Sequence, residues 1–166
     1  MKTEEVAHPD VKKIQDIIED IKVAMVVTME PNGDHRSRPM QTQLFDADGC
    51  LWFFTNEHSP KVEELQQHPN INVSYADRGS QTYVSITGTA SVVTDRQKIE
   101  ELWNPILKAW FPKGLEDPEL ALLKVDIKEA EYWDGNSSRM VQAYKIAKAL
   151  ATGDRYDQGD NKKVSL

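Results

Sequence analysis

The segment TNEHSPKVEEL, residues 55–65, places a lysine where elementary electrostatics disfavours one. Ser59 is suited to cap a helix, and Pro60 to its first position, where a missing N–H costs nothing. Lys61 then falls in the first turn, beside the positive end of the helix dipole, at a cost of roughly a few tenths of a kcal/mol. One resolution is local: Glu63 and Glu64 offset the charge, or the lysine stem lies across the solvated surface. The other is an anion site. Free backbone N–H groups, a serine hydroxyl and an ammonium converge on a space suited to phosphate.

The run HRSRPM, residues 35–40, offers partners for that anion. Arg36 and Arg38 are two residues apart and share one face of a strand, and guanidinium groups suit two-pronged phosphate contact. The competing reading is a charged strand edge, which Pro39 supports. A phosphate-bearing ligand also needs a flat apolar slot. Trp110 and Phe111, in a loop containing Pro and Gly, and Trp133, before the polar DGNSS, are the aromatic candidates to line it, with Tyr83 a further aromatic surface. Gln41, Thr42, Gln43, Thr55 and Asn56 supply hydrogen bonds to orient a heteroaromatic ring. No metal spacing links His8, His35, His58 and His68. Cys50 precedes an apolar strand and reads as a small buried residue. No protein acid or base stands out.

These residues must be held by a fold, and the pattern of turns defines it. DVKKIQDIIEDIK is an amphipathic helix over about 10–22. VAMVVTM is a short valine-rich run that reads as a strand buried on both faces. Asn32-Gly33 is a hairpin turn, returning a strand over about 35–45. CLWFFTN, INVSYAD and TYVSITGTASVVT are further strands, with Gly88 marking a bulge or a close backbone approach. Asp95 caps a helix that Pro105 kinks or ends. LALLKVDIKEAEYW forms one long or bent strand, and a helix from a serine cap to Gly153 follows. Hairpin connections imply antiparallel pairing, and the expected class is mainly β with flanking helices, a six-stranded antiparallel split barrel. Residues 1–153 form one domain and 154–166 a polar, mobile tail.

Composition narrows the partners. The 166 residues carry a net charge of −7, which argues against nucleic-acid binding. No apolar run approaches a membrane span, and the acidic N-terminus resembles neither a secretory signal nor a transit peptide. A single cysteine excludes an internal disulfide and fits a reducing cytoplasm.

In order and spacing, HRSRPM, LWFFTNEHSPKVEEL, NINVSYAD, VSITGTASVVTDR, LWNPILKAWFPKGLEDPELALLKVDIKEAEYWD and MVQAYKIAKAL resemble the FMN-binding split-barrel superfamily that includes pyridoxamine 5′-phosphate oxidase. Within it, the chain is most similar to the bacterial general stress protein branch. The resemblance implies a homodimer holding FMN between its subunits. Arg38, Pro39 and Met40, with Gln41, Thr42 and Gln43, would line the ribityl chain and flavin edge. Phe54 and Thr55 would contact the flavin, Ser59 and Lys61 the phosphate, Trp133 the ring, and Trp110 the mouth of the cleft. Pyridoxamine phosphate oxidases have an arginine immediately before this lysine. Here that position is Pro60, so Arg36 or Arg38 must supply the missing charge. Their substrate-binding arginine and histidine pattern is not recognisable around YWDGNSSRM, so vitamin B6 oxidation is not implied. Three readings follow: an FMN-dependent oxidoreductase acting on a small molecule, a flavin-sequestering or sensing protein, or a split barrel holding heme or a deazaflavin.

Overall fold

Tight turns and alternating strands build the molecule from its N-terminal half onward. The computed structural model describes residues 9–135, 139–155 and 159–166. Helix α1 (Pro9–Ile21) stops one residue earlier than its periodicity suggests, because Lys22 turns into the left-handed region at φ 66°. Strands β1 (Val23–Met29) and β2 (His35–Phe45) pair through the Asn32-Gly33 turn, where Gly33 takes φ 90°. Strand β3 (Cys50–Asn56) leads into α2 (Pro60–Gln67), and β4 (Asn70–Asp77) pairs with β5 (Thr82–Val93). Helix α3 (Arg96–Leu102) is capped by Asp95, which accepts from the Gln97 N–H. Pro105 then opens a short 3-10 turn instead of continuing that helix. Strand β6 (Leu120–Asp134), α4 (Arg139–Thr152) and β7 (Asp160–Ser165) complete the chain. The serine cap expected for α4 lies outside the described residues.

The strands are ordered β3-β2-β1-β4-β5-β6, and β3 pairs with β6 to close a six-stranded antiparallel barrel. Strand β6 is long enough to serve two neighbours along one edge. Leu120–Asp126 pairs with β3, and Glu129–Asp134 pairs with β7. The C-terminal segment is therefore not simply a tail: β7 satisfies the edge that β3 leaves open, and its Val164 is buried.

The barrel interior is a single apolar cluster. Ile14 and Ile18 of α1 enter it, beside Val26, Phe53, Tyr75, Ile86 and Tyr132. A second cluster lies outside β3, where Trp52 and Phe54 pack with Ile99, Leu107 and Leu122. Strand β3 is consequently buried on both faces. Strand β1 is not, contrary to the expectation from its valine-rich apolar run. It alternates, and Val23 and Met25 on its outer face are 50% and 40% exposed. The second apolar cluster forms over β3 and leaves that outer face uncovered.

Gly88 sits at a register shift between β5 and β6, and a Cβ there would lie 2.5 Å from the Asp126 carbonyl oxygen. Both expectations for this glycine hold, the irregular pairing and the close backbone. Gly88→Ala is expected to lower stability by about 1–2 kcal/mol through overpacking, measured by urea unfolding. A midpoint equal to wild type would show that the strands separate there at no cost.

Candidate functional site

Strand β2, strand β3 and the first turn of α2 converge on a cavity of about 440 Å³, within the usual size of small-ligand sites. Arg38 and Lys61 provide its positive end. Phe54, Trp110, Phe111, Leu107 and Val23 provide apolar walls, and Gln41 and Gln43 provide amides. Phe54 is itself braced edge-on by Trp103, at 5.5 Å between ring centroids. The 3-10 turn and loop after α3 thus bring an aromatic wall over β2 and β3.

Lys61 is half-buried and donates a hydrogen bond to Thr55 Oγ1 at 2.9 Å, a neutral acceptor. Burial pulls its ammonium below the usual lysine range. The Arg38 charge acts in the same direction and Glu64 opposes it. Such a cation gains from an anion in the cavity. Ser59 occupies the N-cap position of α2, but its hydroxyl makes no capping bond and lies 3.5 Å from Thr55 Oγ1. Ser59 therefore does not cap the helix with its side chain, contrary to the expectation from its position before Pro60.

Arg38 is held from behind. Its Nη1 donates to Thr28 Oγ1 at 2.7 Å, and its Nη2 donates to Glu64 Oε2 at 3.1 Å. Thr28 Oγ1 in turn donates to the same carboxylate oxygen. Thr28 and Glu64 are both buried. Burial alone would push the Glu64 carboxyl up. The bonds from Thr28 and Arg38, with the charges of Arg38 and Arg36, outweigh it and hold the group below the usual carboxylate range.

Of the residues singled out from sequence, Arg38, Pro39, Met40, Gln41, Gln43, Phe54, Lys61, Trp110 and Phe111 line this one cavity. Thr55 and Ser59 stand just behind Lys61. Thr42 bonds Tyr75 across 2.6 Å, and Asn56 donates to Glu119. Arg36 is exposed and faces Glu30 at 3.7 Å. Tyr83 and Trp133 sit opposite one another on β5 and β6, outside the cavity's lining. Sequence reasoning missed Val23 and Leu107 as lining, and Thr28 and Glu64 as the support of Arg38. Helical spacing held a clue to the last: Glu64 follows Lys61 by three residues and precedes buried Leu65.

Among the described residues no group of three or more His, Cys, Asp or Glu side chains is placed to hold a metal ion, and no helix is long and apolar enough to cross a membrane. Cys50 is buried and donates to Asp126 at 3.2 Å. Burial, with the Asp126 bond and nearby carboxylates, pushes its thiol up to about 12, so it is no nucleophile at neutral pH.

A closed six-stranded antiparallel barrel with a cationic, aromatic-walled cleft on its side defines the split-barrel class. More particularly, the chain belongs to the pyridoxamine 5′-phosphate oxidase like family, whose model matches residues 9–157. Protein bli-3 of Neurospora crassa is 31% identical over 142 residues, spanning 80% of this chain and 68% of the relative. Among solved structures, a Jannaschia sp. CCS1 protein assigned to general stress protein 26 superposes with a TM-score of 0.74 at 28% identity. It covers 96% of this chain and 100% of its own. The general stress FMN/FAD binding protein of Xanthomonas citri gives a TM-score of 0.66 at 30% identity, over 76% of this chain and 89% of that one.

Proposed function

We propose that this protein binds FMN in the cleft between β2, β3 and α2, and that it is an oxidoreductase of the general stress branch acting on a small molecule. The observation that carries the reading is Lys61, a half-buried ammonium bonded to a neutral hydroxyl and facing the same cavity as Arg38. A phosphate ester suits that end, with the Ser59 hydroxyl and the start of α2 beside it. Met40 and Phe54 suit the flat faces of a ring system, and Gln41 and Gln43 its polar edge. The apolar walls exclude water from the ring. When bound, FMN would supply hydride or electron transfer. The similarity to an FMN/FAD binding protein supports the same assignment.

The active unit in this reading is a homodimer in the cytoplasm. Val23 lines the cavity and continues onto Met25 along the uncovered face of β1, and Trp110 and Ile106 are each 64% exposed. A second copy seated on these surfaces would close the cleft and bring its own Tyr83 and Trp133 toward the ring. Arg36 would stand at the rim of the phosphate end.

The decisive experiment is to denature the purified protein and analyse the released chromophore, alongside FMN titration of the stripped protein and light scattering for mass. A yellow, FMN-releasing dimer is the expected result. A colourless protein that fails to take up FMN would overturn the reading, and a red one would indicate heme. Steady NADH or NADPH consumption with an acceptor separates the enzyme from the alternative, a flavin-sequestering or sensing protein without turnover.

A further inference from the structure

The cleft's positive end is backed by a carboxylate that its ligand chemistry does not require. Glu64 projects from α2 into the wall behind Arg38, is 6% exposed, and accepts from both Thr28 and Arg38. It does not line the cavity. Two cations side by side would repel in the ligand-free protein, and the buried carboxylate relieves that repulsion. The same carboxylate opposes an incoming anion. Its effect on stability and its effect on affinity therefore have opposite signs.

We propose that Glu64 is a positioning and charge-setting residue of the phosphate site: with Thr28 it fixes the Arg38 guanidinium, and it leaves one net positive charge there instead of two. The inference rests on the flavin reading for its ligand, but it concerns the anion-binding end alone. The site trades phosphate affinity for stability when empty. Lys61 belongs to the same balance, since Glu64 is the group that keeps its ammonium from falling further.

Glu64→Gln keeps the shape and an acceptor for Arg38 and Thr28 while removing the charge. The expected result is about tenfold tighter FMN binding, riboflavin binding unchanged, and a lower melting temperature without ligand. A residue that merely supports the fold would weaken both flavins together with the melting temperature. Thr28→Val keeps the charge but removes one anchor of Arg38, and is expected to lower the FMN-to-riboflavin affinity ratio several-fold. Inorganic phosphate titrated by calorimetry is the third probe. If wild-type protein binds no flavin, the flavin reading fails, yet tighter phosphate binding by Glu64→Gln would still support the role assigned to Glu64. Wild-type FMN-to-riboflavin ratios in both variants, or weaker phosphate binding by Glu64→Gln, would overturn it.

Discussion

Arg38→Ala is expected to destabilise the protein by about 3 kcal/mol near neutral pH, because removing one partner of a buried ion pair strands the other. The stranded group is Glu64, whose side chain is 7% exposed against 16% for Arg38. The pH dependence should identify the cause. In the wild type the folded Glu64 carboxyl lies below its ordinary value, since the bonds from Thr28 and Arg38 outweigh burial. Its contribution to stability is present above the unfolded carboxylate pKa of about 4.3 and is lost as pH falls through the folded value. Without Arg38, burial dominates and lifts the carboxyl above its unfolded value. The variant's deficit should then shrink on acidification from about pH 7 to about pH 5, where Glu64 takes up a proton. Denaturant unfolding at the two pH values measures this. The double change Arg38→Leu with Glu64→Leu should recover most of the loss, as apolar replacements of buried pairs commonly do. A deficit that is the same at both pH values would place the lost energy in packing, not in the stranded charge.

Lys61→Ala should act on binding and leave folding intact. The ammonium is disfavoured by burial and by Arg38, so its removal is expected to leave the ligand-free melting temperature unchanged or raised. FMN affinity should fall by about 2–3 kcal/mol, roughly 30- to 150-fold, the worth of a charge-assisted hydrogen bond in a partly desolvated site. Riboflavin, which lacks the phosphate, should bind both proteins alike. That comparison matters because Lys61 also contacts Thr55 on the neighbouring strand. A general loosening of the cleft would weaken both flavins, and unchanged FMN affinity would return Lys61 to the role of a surface lysine. The two variants contrast instructively: Arg38 is bonded to buried Thr28 and Glu64, whereas Lys61 bonds the neutral Thr55 hydroxyl and lines the cavity.

Local rules carried the reading of the sequence far. Asn32-Gly33 defines a hairpin because few other pairs tolerate its backbone angles, Pro60 marks a helix start because a proline lacks the N–H that later positions need, and the helix capped by Asp95 ends before Pro105. Those signals depend only on neighbours in the chain. They predicted β1–β6 and α2, the elements that carry Arg38, Phe54 and Lys61. The C-terminal strand was misread because Asp160–Ser165 is polar and pairs only where β6 outruns β3. The outer face of β1 was misread because a valine run does not reveal whether anything lies above it. Glu64 was visible as a charge but not as a partner. Its bond to Arg38 spans 26 positions, and its bond to Thr28 spans 36. Composition and spacing thus determined that this chain makes an antiparallel barrel with cations beside a helix start. Only the tertiary structure decided which of the two cavity-lining cations would also be paired with a buried carboxylate. Burial and pairing at such separations are set by three-dimensional packing, which no local pattern encodes.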